Sequence, residues 1–432
     1  MTPSTDQPGG GDPPPAGRRV LLLYGPATYR AAAFGAAAAR LGLEVIPVVD
    51  TPAALEQRRP RPLAVDFSDP DDAAARVAAY AGAHAIPTIL GLDDSATLVA
   101  AAANALLGLP HNDPAAALAA RDKFVMRERL AAAGVPVPAY QRQPLGADPS
   151  ALAPAITYPS VIKPLRLSGS RGVIRVDDPA SFVAAWRRTR RLLLAAGADP
   201  AADHLLIEAF IPGVEIALEG LLTEGSLRTL AIFDKPDPLD GPFFEETIYV
   251  TPSRLSRTTQ AAITATATAA ARALGLRHGP VHAELRINEH GVWVIELAGR
   301  SIGGLCSSVL EFGLGVRLEE VILRHAAGLP LPPLARTGTG TGAGVMMIPI
   351  PSGGMLRSVH GRADALAVPG VTGLDITAPL NQLITPLPEG ASYLGFIFAQ
   401  GESPAAAEAA LREAHARLRF VIEPTIMLAP AD

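Results

Sequence analysis

The stretch from His282 to Gly304 most constrains what this chain can fold into. Its sequence, HAELRINEHGVWVIELAGRSIGG, alternates apolar and polar residues, breaks at a polar turn and resumes with a β-branched and aliphatic run. This pattern predicts a β-hairpin. If Asn288 pairs with Val292, the loop contains three residues, and Gly291 takes the left-handed conformation that such a loop needs.

The same register places Glu284 opposite Glu296 on one side of the hairpin. Two carboxylates that face each other destabilise a sheet, whereas a divalent cation turns the pair into ligands. Mg²⁺ binds one or two carboxylates together with substrate phosphates. The hairpin therefore predicts a metal and phosphate site. The alternative is a solvated edge hairpin with two exposed glutamates, and the remaining motifs decide between the two.

Lysine usage supplies the next motif. The chain has three lysines, Lys123, Lys163 and Lys235, although lysine and arginine together number 37. A chain that uses arginine for nearly every positive charge keeps lysine for roles that suit a compact ammonium, such as contact with phosphate oxygens. Lys163 ends a predicted strand and leads into the Ser168–Gly172 loop, whose glycines and serines favour a backbone cradle for phosphate. Taken alone, a flexible hairpin loop is an equal alternative.

Two further acids, Glu208 and Glu215, lie in apolar stretches that predict strands. A buried carboxylate is costly unless a partner or a ligand compensates its charge, so both glutamates are candidate site residues. The alternative is a pleat that turns the side chain outward, and this alternative has more weight for Glu208 than for Glu215.

Composition excludes several classes of partner. The 37 basic and 42 acidic residues give a net charge of −5, which provides no broad positive field for nucleic acid or an anionic membrane. The most apolar run, Leu98–Leu109, is too short to span a bilayer. The single cysteine, Cys306, excludes an internal disulfide and fits a reducing cytosol. Residues 1–17 lack the apolar region of a signal peptide and predict a disordered tail, so we expect a cytoplasmic protein.

Strands and helices alternate from Arg19 onward, which predicts a small parallel sheet with helices on its faces, a Rossmann-like domain. Its first turn, Tyr24–Thr28, lacks the G-x-G-x-x-G pattern of dinucleotide folds, so a nicotinamide cofactor is not expected.

The order of these motifs resembles that of the ATP-grasp superfamily, and the resemblance covers residues 18–430. It rests on RDKFVMRERLAAAGVPVP, YPSVIKP, LIEAFIPGVEIALEG and the opening hairpin. The implied fold is multidomain, α/β and α+β: a Rossmann-like N-terminal domain, an ATP-grasp fold of two α+β subdomains and a C-terminal α+β cap. The expected divisions are a disordered tail (1–17), the N-terminal α/β domain (18–112), a helical linker (113–157), the lid subdomain (158–235), the metal and substrate subdomain (236–334) and the C-terminal domain (335–432).

The resemblance also implies roles for individual residues. Glu284 and Glu296 match paired metal ligands, while Arg300 matches the arginine that holds the reacting phosphate or acyl group and, with Lys163, is expected to be catalytic. Glu208 matches the acid beside adenine and Glu215 the ribose-binding acid. The expected ATP contacts are Lys123, Lys163, Ser168, Gly169, Ser170, Gly172, Glu208, Ala209, Phe210 and Glu215, and the expected substrate contacts are His282, Arg300, Ser301, Gly303 and Gly304.

The chain departs from the family pattern at Ala298, where the family often has an asparagine that supplies a metal-ligating oxygen. The expected cofactors are therefore ATP and Mg²⁺, with the number of ions, one or two, left open and Mn²⁺ as a substitute.

The C-terminal sequences GVMMIPIPSGGMLRSV and YLGFIFAQG resemble the L-amino acid ligases and related natural-product carboxylate–amine ligases. The resemblance implies an enzyme that joins a carboxylate, an amino acid first of all, to an amine through an acyl phosphate, with release of ADP and phosphate. Small-molecule substrates and a homodimer follow from the same resemblance. Two alternatives remain: a bicarbonate-activating carboxylase that resembles biotin carboxylase, and a non-catalytic ATP-binding regulatory protein.

Overall fold

The computed structural model describes residues 18–26, 28–52, 55, 63–312, 315–334 and 341–424. The tail expected over residues 1–17 lies outside these residues. The strands are β1 (Arg19–Tyr24), β2 (Glu44–Asp50), β3 (Ala64–Val65), β4 (Ile89–Gly91), β5 (Tyr140–Pro144), β6 (Ser160–Pro164), β7 (Ile174–Val176), β8 (His204–Ala209), β9 (Val214–Thr223), β10 (Ser226–Asp234), β11 (Ile248–Thr251), β12 (Gly279–Asn288), β13 (Gly291–Ala298), β14 (Glu311–Phe312), β15 (Val316–Arg317), β16 (Gly342–Ile348), β17 (Gly354–His360), β18 (Val371–Ile376), β19 (Leu383–Ile384), β20 (Gly395–Gly401) and β21 (Arg419–Glu423).

The α-helices are α1 (Ala31–Arg40), α2 (Pro70–Ala83), α3 (Asp94–Leu107), α4 (Pro114–Arg121), α5 (Lys123–Ala132), α6 (Pro149–Leu152), α7 (Pro179–Ala195), α8 (Arg257–Leu274), α9 (Leu318–Ala326), α10 (Arg362–Leu366) and α11 (Pro404–Arg417). Short 3₁₀ helices cover Ala153–Ala155 and Cys306–Val309.

The N-terminal domain is the expected Rossmann-like unit. Its four-stranded sheet has the order β3-β2-β1-β4, with parallel pairing throughout. Asp93 ends the loop after β4 and caps α3, since its carboxylate accepts from the N–H of Ala96. The same carboxylate accepts from the N–H of Gly25 at the end of β1, with a donor–acceptor distance of 2.6 Å. One acid therefore fixes the start of α3 against the carboxyl edge of the sheet.

An eight-stranded sheet forms the centre of the molecule, in the order β13-β12-β9-β10-β11-β16-β20-β18. Its β9 strand is buried from Glu215 to Leu222. Helix α8 packs on this sheet through one apolar face, including Ile263 and Ala267. Because β16, β18 and β20 come from the C-terminal region, that α+β region also continues the central sheet.

A second, four-stranded sheet has the order β5-β8-β6-β7 and packs against α7 through Phe182 and Trp186. We call these four strands and α7 the lid. Strand β5 comes from the range expected as a helical linker, and β9 and β10, from the range expected as the lid (158–235), pair in the central sheet. The lid therefore begins and ends earlier in the chain than the range 158–235 that the sequence predicts for it.

The predicted hairpin forms, but with a different register at its turn. Asn288 pairs with Gly291 rather than with Val292, which leaves a two-residue loop. A bulge at Ile295 on β13 then shifts the register by one residue, so that Glu284 still faces Glu296. The prediction of the opposed carboxylates is confirmed, whereas the three-residue loop used to reach it is wrong.

No helix among the described residues is long and apolar enough to cross a bilayer.

His278, just before β12, and His325, in α9, stack with ring centroids 4.3 Å apart. Burial and the neighbouring His278 lower the pKa of His325 from 6.5 to about 4. The folded protein therefore keeps His325 neutral in a pH range where the unfolded chain binds a proton. Since the unfolded state binds more protons between pH 6.5 and about 4, the free energy of unfolding falls as the pH falls through this range.

We expect wild-type protein to lose more stability than a His325→Gln variant when the pH falls from 6.5 to about 4. Urea unfolding at several pH values measures the difference. His290→Gln is the control, because the His290 side chain in the hairpin turn is 72 % exposed. Equal pH dependence in wild-type and His325→Gln protein would contradict the assignment.

Candidate active site

A cavity of about 280 Å³ lies between the lid, the central sheet and the C-terminal region. Most of the residues predicted from sequence line it: Lys123, Lys163, Ser168, Gly169, Ser170, Glu208, Ala209, Phe210, Glu215, His282, Glu284, Glu296, Arg300, Gly303 and Gly304. Two do not. The N–H of Gly172 donates to Pro388 O of the C-terminal region, and Ser301 is buried with its hydroxyl bonded to Arg30. These two residues lie outside the cavity and support its walls through hydrogen bonds.

The Ser168–Gly172 loop adopts an unusual backbone conformation. Gly169, Ser170 and Gly172 have positive φ angles of 62°, 55° and 72°. Ser170 is the exception among them, because residues with a side chain seldom adopt this conformation. The N–H groups of residues 168–170 donate to no other described residue. Successive unpaired amides at the wall of a cavity suit an anion, and the phosphate cradle at this loop stays a prediction.

Glu208 anchors the lid side of the cavity and is only 1 % exposed. Arg127 Nε donates to one carboxylate oxygen at 2.5 Å, and Lys163 Nζ lies 2.6 Å from the other. Burial alone would raise the pKa of Glu208, but Arg127 and Lys163 outweigh it and lower the pKa to about 2. Both oxygens of Glu208 are therefore occupied by protein partners, and the expected contacts with adenine stay predictions.

Lys123 connects the phosphate loop to the hairpin. Its Nζ donates to the carbonyl oxygen of Leu167 at 2.8 Å and lies 3.5 Å from Glu296 Oε2. The lysine is buried at the start of α5, where Asp122 caps the helix. Its ammonium is thus placed between the candidate phosphate cradle and a candidate metal ligand.

The opposed pair Glu284 and Glu296 suits a divalent cation. Each carboxylate already contacts a cationic group: Glu296 contacts Lys123 at 3.5 Å, and Glu284 contacts Lys235 at 3.3 Å. The ammonium nitrogens of Lys123 and Lys235 lie beside these oxygens, where a metal ion can also bind. Carboxylate oxygen is the ligand type that Mg²⁺ prefers. The residues present therefore fit the expected ion.

Lys235 lies in the middle of a second group of carboxylates. One oxygen each from Glu215, Glu246 and Glu284 lies within 4.8 Å of the other two, which is compatible with a metal site. The Lys235 ammonium fills that place, bonded to Glu215 at 2.9 Å and to Glu246, with a side chain only 3 % exposed. Burial disfavours its charge, but the three carboxylates outweigh burial and raise the pKa of Lys235 well above its usual value.

Glu215 was expected to bind ribose, and the structure places it at the cavity wall with both oxygens occupied. Lys235 Nζ bonds to Oε1, and Arg286 Nε donates to Oε2 at 2.9 Å. Arg286 lies on β12, beside Glu284, and its guanidinium also stacks 4.9 Å from the Phe210 ring centroid. The acid therefore orders the cationic groups at this wall of the cavity.

His282 is held by a buried acid, Glu219, which accepts from His282 Nδ1. Burial would lower the pKa of His282, but Glu219 outweighs it and raises the pKa to about 9. At neutral pH His282 is protonated, so it is suited to orienting Glu284, 3.5 Å from its Nε2, rather than to accepting a proton. Glu219 also accepts from the N–H of Ile302 at 3.1 Å, which fixes the exit of the hairpin.

Arg300 reaches across to the N-terminal domain. Its Nε and Nη2 donate to the two carboxylate oxygens of Asp94 at 2.7 and 3.0 Å, and Nη1 donates to Ser301 O at 3.2 Å. A guanidinium has five N–H donors, so two remain for a ligand at the cavity. Asp94 fixes the orientation of this side chain from outside the cavity.

Several functional partners are absent from the sequence-based prediction. They are the charged residues that hold the predicted ones: Asp94, Arg127, Glu219, Glu246 and Arg286. Glu219 and Arg286 could have been found from the sequence. A charged residue inside an apolar strand pattern indicates a buried partner or ligand, as it did for Glu215. Asp94 and Arg127 lie in helices, where charge is common and gives no comparable signal.

Three family models match the chain: an ATP-grasp N-terminal domain over residues 35–111, an ATP-grasp domain over residues 156–309 and an L-amino acid ligase C-terminal domain 2 over residues 346–423. The chain belongs to the ATP-grasp superfamily. ATP-grasp enzymes bind ATP, which agrees with the expected nucleotide. The second and third matches contain most of the residues that line the cavity.

Alanine–anticapsin ligase from Bacillus subtilis is 29 % identical over 57 % of this chain and 55 % of its own length. D-alanine–D-alanine ligase from Aromatoleum aromaticum is 30 % identical over 40 % of this chain and 54 % of its own length. The chain thus spans little more than half of the length of these two curated relatives. The crystal structure of an L-amino acid ligase from Bacillus licheniformis is similar over 94 % of this chain and all of that one, with 25 % identity and a TM-score of 0.78.

We expect Lys235→Met to lower the free energy of unfolding by about 3–5 kcal/mol, because it leaves buried carboxylates without their central cation. Urea denaturation followed by circular dichroism measures the change. Arg228→Met, on the exposed edge of β10, is the matched control and should change stability by less than about 0.5 kcal/mol. A Lys235→Met variant as stable as wild type would show that the three-carboxylate cluster does not depend on the ammonium.

Proposed function

We propose that the protein is an ATP-dependent ligase that joins the carboxylate of an amino acid to an amine through an acyl phosphate, releasing ADP and phosphate. The observation that carries the proposal is the convergence of three sets of groups on one cavity. These are the opposed Glu284–Glu296 pair, the unpaired amides of the Ser168–Gly172 loop, and the ammonium groups of Lys123 and Lys163.

Phosphoryl transfer depends on alignment and on neutralising charge, since the protein itself forms no covalent bond to the phosphorus. In this proposal the amides of residues 168–170 hold phosphate oxygens, and Lys163 and Lys123 approach the same oxygens from the two sides of the loop. The backbone of Ala209 and Phe210 borders the adenine. Arg300, oriented by Asp94, uses its two remaining N–H donors on the reacting phosphate or acyl oxygen.

Glu284 and Glu296 would hold Mg²⁺, or Mn²⁺ in its place, which when bound neutralises phosphate charge. We assign a single ion to this pair. Ala298 offers no side-chain oxygen, and the neighbouring cluster of three glutamates is filled by Lys235. Protonated His282 keeps Glu284 oriented toward the same point.

The proposed reaction requires no enzyme nucleophile, and the state of Cys306 agrees with this. This cysteine is buried at the cavity, and burial raises the pKa of its thiol well above the usual value. A protonated, buried thiol is a poor nucleophile. The amine substrate is therefore the nucleophile in the second step, in which it attacks the acyl carbon and displaces phosphate.

The match to the L-amino acid ligase C-terminal domain supports an amine as the acceptor, rather than the bicarbonate chemistry of a biotin carboxylase. A screen of ADP formation with pairs of amino acids, combined with mass detection of the product, tests the proposal directly. A condensation product that appears only with ATP supports it. ADP formation that requires bicarbonate and no amine supports the carboxylase alternative, and nucleotide binding without stimulated phosphate release supports a regulatory protein. A homodimer stays a prediction.

Glu296→Gln is expected to reduce amine-dependent phosphate release about 100-fold, because loss of one charge-stabilising contact typically raises the barrier by roughly 3 kcal/mol. The measurement is steady-state phosphate release at saturating substrates, with the unfolding midpoint as a check on folding. Glu289→Gln is the control, since the Glu289 side chain lies in the turn of the same hairpin and is 86 % exposed. Unchanged turnover in Glu296→Gln would refute the metal assignment.

A further inference from the structure

The C-terminal region holds the phosphate loop closed through a short segment that ends at the cavity. Glu389, in a turn of this segment, accepts from Arg188 of the lid helix α7, with Nε–Oε1 at 2.5 Å and Nη2–Oε2 at 2.8 Å. Its carbonyl oxygen accepts from Arg171 Nε at 2.9 Å. The preceding Pro388 accepts from the N–H of Gly172 at 2.8 Å. Four hydrogen bonds thus connect one turn to the loop and the lid.

The backbone of the turn is closely packed on its own side. The N–H of Gly390 donates to Pro386 O at 2.8 Å, and a Cβ at Gly390 would come within 1.8 Å of Thr385 O. A side chain therefore cannot be accommodated at this position. Directly after the turn, Ala391 and Tyr393 line the cavity. The segment that holds the phosphate loop is thus continuous with a wall of the substrate space.

The energetics suit a contact that opens and closes. The side chains of Arg188 and Glu389 are 39 % and 41 % exposed, so water screens the pair and folding depends little on it. Bidentate geometry nevertheless gives a defined orientation when the pair is formed. Lids over ligand sites commonly open and close around the ligand, and a half-exposed ion pair can break and re-form during such a motion.

We propose that Arg188 and Glu389 form a latch that positions the Ser168–Gly172 loop over the phosphates and excludes water from the acyl phosphate. This inference rests on the proposed function. When the latch is broken, water replaces the amine: its oxygen bonds to the acyl carbon, the carbon–oxygen bond to phosphate breaks, and the water protons leave on the products or to solvent. The carboxylate and inorganic phosphate are regenerated, so ATP is consumed without a new amide. Both residues are positioning residues, because neither lines the cavity.

The test compares Glu389→Gln and Arg188→Ala with the charge reversal Arg188→Glu/Glu389→Arg. Glu389→Gln is the sharper single change, since Arg188 also stacks 5.0 Å from the Phe243 ring centroid. Arg187→Ala, exposed on the same helix, is the matched control. Two quantities are measured: the ratio of ADP to amide product, and hydrogen exchange of the amides of residues 171–173 of the free protein, which are hydrogen-bonded in the structure.

In both single variants we expect the ADP-to-amide ratio to rise at least threefold and the loop amides to exchange faster, with both returning toward wild type in the charge reversal. Unchanged exchange in Glu389→Gln overturns the latch, whatever the activity. Faster exchange with an unchanged ratio overturns its role in excluding water. If no form of the protein, wild type included, makes an amide while exchange responds as expected, the latch stands as a contact and the proposed function fails.

Discussion

Like-charge repulsion between Glu284 and Glu296 is the constraint that the rest of the site depends on. The two carboxylates face each other on neighbouring strands of the central sheet, an arrangement that is unfavourable without compensation. The protein supplies the compensation from both sides, with Lys123 next to Glu296 and Lys235 next to Glu284. The pair is therefore maintained before any ligand binds. A cation that binds between the two carboxylates enters a site where positive and negative groups already alternate. Little reorganisation of the protein is therefore needed.

Buried arginines that compensate the charge of carboxylates also determine how the domains pack against one another. Arg300 joins the end of the hairpin to Asp94 in the N-terminal domain, and Arg127 of α5 joins Glu208 of the lid. A buried ion pair adds little net stability, but separating its partners is costly, so such pairs favour one arrangement over others. In this chain they lie at the junctions between domains. The geometry of the cavity is thus set by electrostatics at its edges as well as by apolar packing.

Sequence patterns predict the hairpin and the lysines of this site better than the charged residues that pair with the site residues. Alternation predicts the hairpin, and the opposition of Glu284 and Glu296 is correct because a bulge at Ile295 offsets the error in the turn. The scarcity of lysine directs attention to Lys123 and Lys163, both of which line the cavity. Arg127, in contrast, is 81 residues from Glu208, and Asp94 is 206 residues from Arg300. No local periodicity encodes such pairings, because they form only when separate elements pack.

The C-terminal region explains why the substrates could not be predicted from sequence. Strands β16 and β20 extend the central sheet, and through them Met347, Ala391 and Tyr393 reach the cavity that β12 and β13 begin. This part of the cavity is thus formed by residues that follow the hairpin by about 50 to 100 positions. Its shape depends on the packing of a whole domain against the sheet, whereas the phosphate and metal groups depend on short motifs. The chemistry is therefore visible in local sequence, while specificity is a property of the assembled fold.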